Sequence, residues 1–308
     1  GIMEGHAVSI GRNRLIEMYA DWTDRISAGE VPTQPPRPEG VERNIVITMW
    51  DWGDEETSIV HDEITTDKRN PTINANGPYY GVVQFGGELL ITDPQNHTSE
   101  TLTVPMREPN EAGADAHNHM LDQQGRVWMT SRIRKTVKNP NFCRKGSDHP
   151  SADYFPLSQS TRHASYYDPS DKAFTLVDTC YSTHHLQFSN DANDTLWFSG
   201  DTQVIGWLNT KMFDETQNEQ QSQGWCPTVI DTNGDGKITR PWNEPGSNLD
   251  NIDPTLDTRI GGLSPENQNL SGSEGLESLY GFAYGIIPNP VDGSVWVARP
   301  MKTPGELV

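Results

Sequence analysis

Four of the nine histidines in this 308-residue chain fall in two short runs, "HNH" at 117–119 and "HH" at 184–185. Imidazole is the side chain that changes charge near neutral pH and the commonest nitrogen ligand of borderline metals. If His117 and His185 reach one point from separate strands, they supply either a metal site for zinc, copper or iron or a general acid and base. His61, in "VHDEI", adds a third imidazole, with Asp62 and Glu63 beside it as carboxylates able to orient a ligand or take a proton. A bland alternative stays open, in which these rings hydrogen-bond to backbone around a water-filled channel. The sharpest local motif is "DTNGDGKIT". Asp231, Asn233 and Asp235 alternate and Gly236 follows, as in the first half of a calcium loop. Lys237 would offer its carbonyl and Thr239 a side chain or a bridging water. Trp242 stands where the loop's closing Glu belongs, which leaves Glu244 as an optional ligand; the competing reading is an empty polar turn.

The elements that must position the histidines come from a repeat. "HNHMLDQQGRVWMTS" (117–131), "HLQFSNDANDTLWFSG" (185–200) and "YGIIPNPVDGSVWVAR" (284–299) share an apolar strand, a polar turn and a second strand carrying Trp. "YGVVQFGGELLITD" (80–93) reads as a weaker fourth copy. "HASYYDPSDKAFTLVDT" (163–179), "TSETLTVP" (98–105), "VIGWLNT" and "WCPTVIDT" supply further strands after these units. Four antiparallel strands per repeat predict an all-β protein, a β-propeller of four-stranded blades with long insertions at 132–162, 211–224 and 240–279. The first strand of each blade would line a central channel, so Tyr80, His117, His185 and Tyr284 are expected in one slot. His119 would share the face of His117 and line the channel too, while His184 would turn away from His185. The last unit stops at "GELV" inside its third strand, which reads as a propeller lacking its C-terminal blades. Ahead of the repeats, Leu15, Tyr19, Trp22 and Ile26 mark a short amphipathic helix, and "VPTQPPRPEG" a stiff linker. The expected division is 1–40 for helix and linker, a candidate tail of an upstream domain, and 41–308 for the propeller.

Composition fits this picture and narrows the partners. Only 33% of residues are hydrophobic, against 27 Gly and 22 Pro, and nine Trp, nine Tyr and eight Phe supply bulk for a core. The net charge of −20 opposes nucleic acid and anionic membrane surfaces, and no apolar run approaches the roughly 18 residues that span a bilayer. Cys143 and Cys180 could be bridged in an oxidising compartment, leaving Cys226 as a buried odd thiol. "GSDHPSADYFP" (146–156) and "RNPTINANGPYYG" (69–81) read as surface loops or the rim of a binding site. There is no P-loop, GxGxxG, GxSxG or HExxH.

The repeated layout resembles the streptogramin (virginiamycin B) lyase propellers. From Tyr19 onward the stretches "MYADWTDRI", "GVERNIV", "DKRNPTINANG", "GSDHPSADYFP", "THHLQF", "SQGWCP" and "DTNGDGK" resemble exported bacterial proteins described as carboxypeptidase-regulatory-like. That resemblance implies a bacterial protein of the periplasm or cell exterior, with a β-sandwich or a haem-attachment segment upstream in a longer chain. No CxxCH is present, so haem is not supported within this chain. The lyase resemblance implies metal-assisted elimination on a small molecule, without assigning individual residues. Three functions compete: a metal-dependent lyase or hydrolase-like propeller, a non-catalytic calcium-stabilised binding or scaffold propeller, and a redox module partnering a c-type haem domain.

Overall fold

The computed structural model describes residues 12–30, 60–83, 86–109, 113–135, 138–200, 204–227, 229–230, 258–259, 283–299 and 306–307. The chain divides into two compact units, Gly1–Trp50 and Asp51–Val308. In the first, helix α1 (Arg12–Ser27) ends where Gly29 takes a left-handed φ of 87°. Its N–H then reaches the Ile26 carbonyl and that of Glu30 the Arg25 carbonyl. These two bonds close the last turn, and glycine accepts the conformation without a Cβ clash. Ile26 on the expected apolar face is exposed; the side chains of Leu15, Tyr19 and Trp22 lie outside the described ones.

The second unit is mostly β. Strands β1 (Val60–Ile64), β2 (Tyr79–Val83), β3 (Glu88–Asp93) and β4 (Thr98–Thr103) form one antiparallel sheet in chain order. A second consists of β5 (His119–Leu121), β6 (Val127–Ser131), β7 (His163–Asp168) and β8 (Ala173–Val177). A third consists of β9 (Leu186–Phe188), β10 (Thr195–Ser199), β11 (Val204–Asn209) and β12 (Gln223–Pro227). A short ribbon of β13 (Val229–Ile230) and β14 (Thr258–Arg259) precedes a three-stranded sheet of β15 (Ile286–Pro288), β16 (Val295–Arg299) and β17 (Glu306–Leu307). The first strands β1, β5, β9 and β15 lie beside one another in that order. The described strands do not close into a ring.

Two sequence expectations shift here. Tyr80 sits on β2, so its hairpin supplies the second and third strands of the first sheet, and β1 carries His61 on the strand expected to line the channel. A run of apolar residues around a Gly-Gly turn looks alike at any hairpin of a meander. Second, the repeats align one residue away from the count taken at the turn. The N–H groups of His117, His184 and Tyr284 bond to the carbonyls of Thr130, Ser199 and Ala298, whose own N–H groups reach Asn118, His185 and Gly285. His184, not His185, is therefore the register partner of His117 and Tyr284. The third turn begins at Ser189, whose N–H bonds to Thr195, and counting from Asn190 misses that residue. In strands a slip of one exchanges the two faces.

Alternation along β6 joins the sheets. Val127 and Met129 pack with Tyr80, Val82 and Leu89 of the first sheet. Trp128 points the other way, edge-on to Phe188 of the third sheet with ring centroids 6.4 Å apart. Its indole N–H donates to Asp122 Oδ2 at 2.8 Å, and the same turn carboxylate binds Arg126. Trp197, the corresponding residue of β10, packs against Ala283, Ile286 and Val297 of the last sheet. Trp296, the next in the series, is 44% exposed beside Ile287 at 60%.

The insertion between β6 and β7 holds a 3-10 turn (Asn141–Cys143) and helix α2 (Pro150–Tyr154). Cys143 and Cys180 are joined across 37 positions of sequence. Asn139 adds hydrogen bonds to the Leu157 and Cys180 carbonyls. Helix α3 (Thr210–Thr216), capped by Asn209, and helix α4 (Glu219–Ser222), capped by Asn218, form the insertion before β12. Asp214 of α3 receives both ends of the Arg126 guanidinium, at 2.7 and 2.9 Å. Cross-linking a loop of this length lowers the entropy of the unfolded chain, so a Cys143→Ser, Cys180→Ser double variant is expected to lose roughly 4 kcal/mol of stability. Denaturant unfolding of the variant against the oxidised parent measures the loss.

Candidate functional site

Three imidazoles meet where the first strands of the second and third sheets begin. His117 precedes β5, and His184 and His185 precede β9. The ring centroids of His117 lie 4.2 Å from His184 and 5.3 Å from His185, and those of His184 and His185 are 4.5 Å apart. One nitrogen from each ring falls within 4.8 Å of the other two. His117 is buried and the other two are half-buried. Tyr284 closes one side, its ring 4.8 Å from His184 and 4.6 Å from His185.

Main-chain and side-chain hydrogen bonds hold these rings. The His185 Nδ1 lies 3.0 Å from the Tyr284 carbonyl, which can only accept, so Nδ1 carries a proton and, in the neutral ring, Nε2 has the lone pair. Ser199 Oγ donates to the same carbonyl. Thr130 Oγ1 donates to the His184 carbonyl at 2.9 Å and accepts from the Asn118 N–H at 3.1 Å. Asn118, between the two histidines of "HNH", donates from Nδ2 to Asp62 Oδ2 on β1 at 2.8 Å. Its Oδ1 accepts from Leu186 N–H on β9 at 3.0 Å. One amide thus spans three first strands.

The remaining expected residues lie elsewhere. His184 was expected to turn away and instead joins the cluster, because it has the register of His117. His119 does not join: it is buried in the sheet, with Nε2 2.7 Å from the Tyr80 carbonyl on β2. Tyr80 packs in the core between the first two sheets, and burial first, then Tyr167, pushes its hydroxyl up to about 12. Glu63 is exposed, and of the two carboxylates in "VHDEI" it is Asp62 that touches the site's scaffold. His61 lies on β1, with its side chain outside the described ones. The candidate calcium ligands Asp231, Asn233, Asp235, Lys237, Thr239 and Glu244 also lie outside the described residues. Cys226 is the free thiol, pushed up to about 11 by burial.

The sequence reading missed Asn118, Thr130 and a buried polar network behind the site. In that network Arg134 binds Asp178 at 3.0 Å and donates to Asn139 and Ser160, both at 2.8 Å. Ser160 Oγ is 3.2 Å from His163 Nε2, and that nitrogen is 3.8 Å from Asp178. Ser, His and Asp are together, but the proton is in the wrong place for a nucleophile and base. His163 Nδ1 accepts from the Ile133 N–H at 3.3 Å, so Nε2 bears the proton and cannot take one from Ser160. All three side chains are buried. In the loop at 146–156, His149 caps α2 by accepting from Ser151 N–H and stacks on Trp225 with centroids 4.7 Å apart. In the loop at 69–81, Arg69 binds Asp67 and Asp194 and lies over the Phe188 ring. Both loops are built into the structure by these contacts.

No protein-family model matches the chain, and no curated protein does. Among solved structures, a Lactobacillus plantarum protein is similar over 76% of this chain and 67% of its own, at 14% identity and a TM-score of 0.33. Virginiamycin B lyase from Staphylococcus aureus is similar over 80% of this chain and 72% of its own, at 10% identity and a TM-score of 0.28.

Burial lowers the pKa of His149, and burial with the surrounding arginines, Arg134 foremost, holds that of His163 well below the usual 6.5. A folded value below the unfolded one gives stability that is complete above about pH 6.5 and is lost as pH falls toward the folded value. The denaturation midpoint is expected to hold between pH 7 and 8 and to fall below about pH 6.5, with a shallower fall in His163→Gln. A pH series of urea melts checks both.

Proposed function

We propose that this chain forms a β-propeller whose inner strands present a three-imidazole site for a divalent transition metal, serving a lyase or hydrolase reaction on a small molecule. The observation that carries the reading is the meeting of His117, His184 and His185, with one nitrogen of each within 4.8 Å of the other two. Three nitrogens about 2.1 Å from one zinc ion lie about 3.4 Å apart, so modest ring rotation completes the set. Neutral imidazoles suit zinc, cobalt, nickel or copper and suit calcium poorly. The propeller reading draws support from the serial order of first strands and from successive tryptophans that each pack on the following sheet.

When bound, such a metal supplies Lewis acidity and a more acidic water. The chain's part is to orient the rings. Donation from His185 Nδ1 to the Tyr284 carbonyl fixes the tautomer of the neutral ring and raises the basicity of Nε2, which can then serve as a ligand or as a base that removes a proton from substrate. Thr130 and Asn118 fix the backbone that carries His117 and His184. Calcium at Asp231–Thr239 rests on the spacing of its oxygens alone. An oxidising, extracytoplasmic location is supported by the Cys143–Cys180 bond.

Titration of the full chain with Co(II), read by visible absorption and calorimetry, is expected to give one site per chain. His184→Ala and His185→Ala each remove a ligand and should weaken binding by more than the roughly 10–100-fold that loss of an outer partner costs. His119→Ala should leave it unchanged. Failure of the parent to bind, or equal loss in His119→Ala, overturns the reading.

A further inference from the structure

Four arginines surround the buried His163, in a protein whose net charge is −20. Arg107, Arg132, Arg134 and Arg162 all act electrostatically on the buried His163. Three of them have carboxylate partners of their own: Arg134 with Asp178, Arg107 with Glu219, and Arg162 with Asp115 at 2.6 Å. Arg132 is left over. Its side chain has one hydrogen-bond partner among the described residues, Asp115 Oδ2, at a long 3.5 Å, an oxygen already taken by Arg162. Its side chain is 31% exposed, against 12% for Arg162. Most of the donors on the Arg132 fork therefore face away from the protein's own acceptors.

The backbone places this surplus charge beside the three rings. Arg132 follows two residues after Thr130, whose carbonyl accepts from His117 and whose hydroxyl donates to His184. The Arg162 carbonyl accepts from Thr183, the residue before His184. Asp115 is two residues before His117, a Cα span of at most about 7 Å. Asp115 is held at a left-handed φ of 46° just after Gly113 at 64°, a conformation rare for non-glycine residues. Its Oδ1 is buried without a hydrogen-bond partner among the described residues. Backbone strain and a half-used carboxylate are accepted there to hold two guanidiniums at the edge of the site. A planar, always-charged fork with open donors matches the two oxygens of a carboxylate.

We propose that Arg132, backed by Arg162 and Asp115, is a subsite for a carboxylate group of the substrate, positioned so that the rest of the molecule reaches the three histidines. This assignment of substrate class rests on the imidazole cluster being the reacting centre.

The test uses the metal-free full chain with malonate as the probe, followed by ligand-observed NMR. Saturable binding is expected, at least ten-fold weaker in Arg132→Gln, weaker by a smaller factor in Arg132→Lys, which keeps the charge but not the fork, and unchanged in Lys211→Gln, which removes an exposed cation outside the site. Melting of each variant reports its fold, and the Lys variant keeps the test intact if the Gln variant is unstable. Equal malonate binding by the parent and both Arg132 variants overturns the subsite. Inorganic phosphate binding more tightly than malonate at Arg132 overturns the carboxylate assignment. Absent Co(II) binding beside intact, Arg132-dependent malonate binding would defeat the metal reading alone, so the two ideas fail separately.

Discussion

The structure depends on sheets packing in series, the second on the third and the third on the last, through the tryptophan at the middle of the second strand. Trp128 reaches Phe188 of the next sheet, and Trp197 reaches the cluster of Ala283, Ile286 and Val297. Burying such a ring contributes a few kcal/mol, and stacked repeats draw much of their stability from the interface with each neighbour. Everything at the site follows from this stacking. The first strands come side by side because the faces behind them are pressed together, and only then can residues from three sheets share hydrogen bonds.

Polar side chains then set spacing that apolar contact leaves loose. Asn118 links Asp62 of β1 to Leu186 of β9, and Arg69 crosses from the first sheet to Asp194 in a turn of the third. Arg126 combines a turn carboxylate, the faces of Tyr166 and Trp128, and Asp214 of an insertion helix. Buried ion pairs of this kind add little net stability over apolar packing, but breaking one side of them is costly. Their effect is to tie a particular insertion to a particular sheet.

Much of this was legible in the chain. The period-two runs, the polar turns and the recurring Trp identified the strands of the second, third and last sheets and the insertions at 132–162 and 211–224. The Asp-to-Trp spacing of the second repeat has a direct cause, since Asp122 accepts from the Trp128 indole. Register was harder to read. Turns of unequal length hid that His184 is the partner of His117, and no count of polar residues reveals which N–H begins a turn. Tyr80 was misplaced because hairpins within one sheet resemble one another. Asn118 and Arg132 went unnoticed for a different reason: neither carries a local signature, and their importance comes from neighbours distant in sequence, Asp62 and Leu186 for Asn118 and Asp115 for Arg132.

The contact between His185 and Tyr284 joins residues 99 positions apart, a ring in the third sheet and a carbonyl leading into the last. The placement of a single hydrogen on that ring is consequently decided by whether two separately built layers have docked. Until the later layer arrives, either nitrogen is free to hold it, and the ring's electronic character is unsettled. Completion of the architecture is in this sense recorded in one bond to hydrogen, so NMR of the imidazole nitrogens would report assembly as directly as any measure of shape.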